Sequence, residues 1–84
     1  MTPVPRIRFR APPDTLVIFV VTERPKDYPQ GYVLRAQLVR AGRIEMGPAW
    51  TRPTLEGLRA IIPLGLYRQP RVPHDDPAIV ETWL

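Results

Sequence analysis

The 84-residue sequence contains no cysteine, no serine and no asparagine, and it has one histidine and one lysine. Without cysteine there can be no disulfide, no thiolate metal site and no cysteine nucleophile. Hydroxyl groups are also few, because threonine occurs only at Thr2, Thr15, Thr22, Thr51, Thr54 and Thr82. The longest apolar run, Leu16 to Val21, spans six residues, whereas a membrane-spanning helix needs ~20. The N-terminus has no apolar stretch followed by a small-residue cleavage site, so the cytoplasm is the expected compartment. No glycine-rich phosphate loop, zinc-binding helix motif or calcium loop occurs.

Proline and arginine are abundant instead. Twelve prolines stand against five glycines, and a background of ~5% makes this proline content unusual. The length fits one domain with one modest core. Twelve basic residues face eight acidic ones, for a net charge of +4. Eleven of the twelve are arginine, whose planar fork suits phosphate and carboxylate partners. The excess lies in the first half, where residues 1–43 carry eight positive and three negative charges.

Residues 1–13 read as a proline- and arginine-rich tail, in which Pro3, Pro5, Pro12 and Pro13 discourage strand pairing. Within it, Arg6 to Arg10 alternates strictly, as expected for an edge strand or an extended arm. Thr15 to Thr22 is the clearest strand. It is apolar on both faces, with Leu16, Ile18 and Val20 on one side and Val17, Phe19 and Val21 on the other. Such a strand is usually covered on both faces. A proline-framed loop follows, and Tyr32 to Arg40 then alternates as a half-buried strand. Ala41-Gly42 predicts a tight turn into a third strand, Arg43 to Met46, ended by Gly47-Pro48.

Thr54 is a candidate N-cap for a short helix reaching Ile62, limited by Pro63. Its apolar stripe is Leu55, Leu58, Ile61 and Ile62. Leu66 to Gln69 and Ala78 to Leu84 predict two further strands, the last one ordered within the sheet. It places Val80 and Leu84 on one face, and Ile79 and Trp83 on the other. Residues 14–84 therefore form a single α+β domain of order β-β-β-α-β-β. The expected sheet is mainly antiparallel, with four or five strands and the helix packed on one face. Which face carries the helix is left open by the sequence.

Three constellations are candidate sites. His74-Asp75-Asp76 is the only metal-like cluster, but adjacent positions rarely converge on one ion and Asp-Pro favours a turn. No catalytic set is recognisable, so neither an enzymatic activity nor a cofactor or metal is expected. Arg6, Arg8, Arg10, Arg35, Arg40 and Arg43, with Phe9 for stacking, form a possible nucleic-acid contact surface. The alternative role for these arginines is to protect edges and outer faces from unwanted pairing. A single helix covers only one face of the sheet, which points to self-association, as a dimer, through Val17, Phe19, Val21, Ile79 and Trp83. The competing arrangement folds Ile7 and Phe9 back over that face.

Leu55, Leu58-Arg59, Ile62 to Leu66, Asp75-Asp76-Pro77 and the closing Ile79 to Leu84 resemble small uncharacterised bacterial proteins of the domain-of-unknown-function kind. The resemblance covers about the last thirty residues. It implies a compact stand-alone cytoplasmic protein and transfers no activity and no site residue. A self-associating, non-enzymatic interaction protein is the leading expectation, and a nucleic-acid binder without membrane contact is the alternative.

Overall fold

The computed structural model describes residues 5–84 and shows five strands and one helix. The strands are β1 (Leu16–Glu23), β2 (Tyr32–Arg40), β3 (Arg43–Arg52), β4 (Arg68–Pro70) and β5 (Ile79–Trp83), with α1 (Leu55–Arg59) between β3 and β4. They form one antiparallel sheet of order β3-β2-β1-β5-β4. The expected α+β order is the one observed. The doubly apolar β1 lies at the centre, and β5 is enclosed between β1 and β4. No helix among the described residues is long and apolar enough to cross a membrane.

Local chemistry explains most of the boundaries. Ala41 and Gly42 both have positive φ, 50° and 75°. Two such residues between the paired Arg40 and Arg43 make the turn that matches strand twist. Thr54 caps α1 by accepting a hydrogen bond from the Gly57 amide at 3.0 Å. A Cβ at Gly57 would lie 3.1 Å from that threonine hydroxyl, so the glycine leaves room for the cap. Regular helix ends at Arg59. The chain then tightens through i to i+3 bonds, Ile61 to Leu58 and Ile62 to Arg59, before Pro63.

The third strand is longer than its sequence suggests. Gly47-Pro48 does not end it, because two residues there oppose the single Ala36 in a bulge between the Gln37–Met46 and Arg35–Ala49 pairs. Pro48 is tolerated because β3 is an edge strand, where a missing N–H need not break a ladder. A second register shift, between Val21 and Thr22, inserts Val80 into β5. It separates Ile79 from Trp83, which a simple alternation would place on one face. Ile79 pairs with Thr22, whereas Glu81 and Trp83 pair with Val21 and Phe19.

The helix packs over β2 and β3 on the face of Val17, Phe19 and Val21. Phe19, Val21, Leu34, Ala36, Leu58, Ile61 and Ile62 form the buried core. The N-terminal arm completes it without becoming a strand. The Ile7 amide donates to the Ile61 carbonyl at 2.8 Å, and Arg6 Nη1 to the Ile62 carbonyl at 2.6 Å. Phe9 meets the Trp50 ring edge-on at 6.4 Å. Of the side chains expected at a self-association face, Phe19 and Val21 are buried beneath the helix and the arm, and Val17 is half-buried there. The expected tail begins with residues 1–4, which lie outside the described residues.

Candidate functional site

Two polar arrangements stand out, one on each face of the sheet. The first lies under the helix, where Glu81 is completely buried (0% exposed). Arg59 holds its carboxylate with a fork, Nη2 to Oε1 at 2.5 Å and Nε to Oε2 at 3.1 Å. The Trp83 indole donates to Oε2 at 2.6 Å, and Arg68 Nη1 lies 3.8 Å from Oε1. Helix, β4 and β5 thus converge on one carboxylate. Among the described residues no buried side-chain polar atom lacks a partner, so the Glu81 carboxylate is fully satisfied within this structural tie.

Burial pushes the Glu81 pKa up. The Arg59 and Trp83 hydrogen bonds and the two arginine charges outweigh it, leaving the pKa below its ordinary value. Pairing with Glu81 raises the Arg59 pKa. A carboxyl whose folded pKa is depressed contributes stability above its unfolded pKa and loses it as pH falls through the folded value. Melting temperature should therefore fall below about pH 4.5. Glu81→Gln should flatten that acid limb, and an unchanged limb in the variant would show that other carboxylates govern it.

The second arrangement is the uncovered face. Here β1 presents Leu16, Ile18, Val20 and Thr22, paired with Val39, Gln37, Arg35 and Val33 of β2. Ile44 and Met46 of β3 lie beside Val39 and Gln37. Leu16, Ile44 and Met46 are 50%, 65% and 60% exposed. At one end a groove of about 540 Å³ opens between the β1–β2 loop and the segment before β5. Val20, Thr22 and Ile79 line its floor, with Arg24, Lys26 and Arg35 around them.

The residues singled out from sequence are distributed as follows. Arg6, Arg8 and Arg10 belong to the arm on the helix side, and Arg6 is committed to the end of the helical segment. Arg35 faces the opposite side, and Arg40 and Arg43 flank the β2–β3 turn. The six do not share one surface. Phe19 and Val21 are core, Val17 and Trp83 are half-buried on the helix face, and Ile79 lines the groove. Asp75 Oδ2 accepts from the Val72 amide at 3.1 Å, and Asp76 Oδ1 from the Ala78 amide at 2.9 Å. Both carboxylates serve the turn, and among the described residues no side-chain cluster suits a metal ion.

Sequence reasoning missed Glu81, although an acidic residue inside the apolar Ile79–Trp83 strand was the signal. It also gave no role to Arg24 and Lys26 in the proline-framed loop. No family model, curated protein or solved structure matches this chain.

Proposed function

We propose that this chain is a small, non-enzymatic cytoplasmic interaction protein that self-associates through the open face of its sheet. The supporting observation is the apolar patch of Leu16, Ile18, Val39, Ile44 and Met46 on the side without a helix. Leu16, Ile44 and Met46 each leave half or more of their surface exposed, and a contiguous apolar patch on a soluble chain often marks an interface.

A second copy of the chain is the occupant the geometry favours. A sheet face is complementary to itself, because two sheets pack ~10 Å apart at about −30°. A two-fold axis then pairs the same residues from each copy. A domain of this size also has only one modest core, which association would extend. The nucleic-acid alternative draws less support, since its six arginines are divided between both faces and a turn.

Light scattering across a concentration series tests the proposal. The chain should pass from monomer to dimer, and added salt should leave the dimer intact or tighten it. Ile44→Asp, at an exposed site, should hold it monomeric without lowering the monomer's melting temperature. A strict monomer at millimolar concentration would overturn the proposal. So would a complex with nucleic acid that weakens steeply as salt rises.

A further inference from the structure

We propose that the groove at the Thr22 end of the open face binds a small organic anion, an aromatic or acyl body carrying a carboxylate or phosphate. Its volume, about 540 Å³, lies in the ~300–1,000 Å³ range of ligand pockets. An apolar floor of Val20 and Ile79 suits the body of such a molecule, and the surrounding charge suits its head. Arg24, Lys26 and Arg35 contribute three cations to the lining, and none forms an ion pair among the described residues. Asp76 is the acidic group in the lining, and its Oδ1 already accepts from the Ala78 amide. The lining therefore keeps an excess of positive charge next to apolar surface.

The backbone fixes where these charges stand. Arg24 has a φ of 46°, in the left-handed region that a non-glycine residue rarely adopts. Two bonds hold it there, the Arg24 amide to the Gly31 carbonyl and the Glu23 amide to the Ala78 carbonyl, each 2.7 Å. The second bond also ties the loop to the segment before β5, so both groove walls are anchored to one another. Arg35 is fixed by its place in β2, opposite Val20. Strained residues held by their surroundings tend to gather at ligand sites. The groove reaches Gln37 and Met46, so it adjoins the Leu16–Ile44 patch and shares Met46 with it; its cations and its Val20–Ile79 surface lie outside that patch, and the inference needs only the monomer.

Amide-resolved NMR titration tests it, at a protein concentration where light scattering finds monomer. The probes are phenyl phosphate and benzoate, with inorganic phosphate and phenol as the separate halves. Either aromatic anion should give saturable shifts at Thr22, Arg24, Lys26, Arg35 and Ile79, and bind more tightly than either half. Arg35→Gln should weaken binding about tenfold, the effect of losing one charged hydrogen bond. Should that variant melt early, Lys26→Gln, in the exposed loop, supplies the same comparison. Absence of saturable shifts at ~10 mM probe, inorganic phosphate binding as tightly as phenyl phosphate, or shifts centred on Arg6 to Arg10 would each overturn the proposal.

Discussion

Replacing Glu81 by alanine is expected to lower the melting temperature markedly. The substitution leaves Arg59 and the Trp83 indole without the acceptor they share. It also opens a void beneath the helix, at a site fully closed to solvent. Glu81 is buried, but Arg59 and Arg68 are 41% and 49% exposed, so the arginines left behind are solvated and the cost lies below the ~3–5 kcal/mol of a fully buried pair. A domain of this length has about 5 kcal/mol in total. Glu81→Gln should be milder, because an amide oxygen can still accept from the indole. Circular dichroism melts of the two variants check the order. An alanine variant that melts within a few degrees of the parent would mean that helix and sheet hold together without the tie.

Deleting Thr82, Trp83 and Leu84 should be comparably damaging. Trp83 pairs with Phe19 on one side and Arg68 on the other, and Thr82 pairs with Val20 and Gln69. Leu84 exchanges two backbone hydrogen bonds with Tyr67. The deletion thus removes β4 from the sheet and exposes one side of β1. Truncating a tryptophan alone costs ~3–5 kcal/mol when it is fully buried, and the lost ladder adds to a smaller cost here. Removing residues 1–5 should leave the melting temperature unchanged, since Pro5 is exposed and, among the described residues, the arm's anchoring begins at Arg6. Equal melting of the two truncations would contradict the central place of β5.

The sequence made the element order legible because each signal was local. Thr54 caps a helix wherever it packs, and Ala41-Gly42 turns a hairpin in any sheet. The central position of β1 followed from apolar residues on both of its faces. The face chosen by the helix was not legible for the same reason, because Leu16, Ile18 and Val20 are as apolar as Val17, Phe19 and Val21. Tertiary partners decided it. Trp50 and Trp83 lie on the same face as Phe19 and Val21, and Ile7 and Phe9 close over it. The assignment of Ile79 failed because the register shift at Val80 reverses the alternation within β5. The end of β3 was misplaced because Pro48 stops a strand only where its missing donor would face a neighbour. Glu81 required knowledge of Arg59, 22 residues earlier in the chain, a pairing that no local pattern announces. Each arginine proposed for nucleic acid was individually plausible, but their division between two faces depends on topology.

Solvent paramagnetic relaxation, followed over a concentration series, tests most directly whether the open face is the one that meets a partner. A soluble gadolinium complex relaxes side-chain protons according to their exposure. As the protein is concentrated, Leu16, Ile18, Val39, Ile44 and Met46 should lose relaxation together, while Arg8, Arg10 and Leu64 on exposed surface elsewhere should keep theirs. Protection that grows instead along the arm, with the open face unchanged at every concentration, would contradict the assignment.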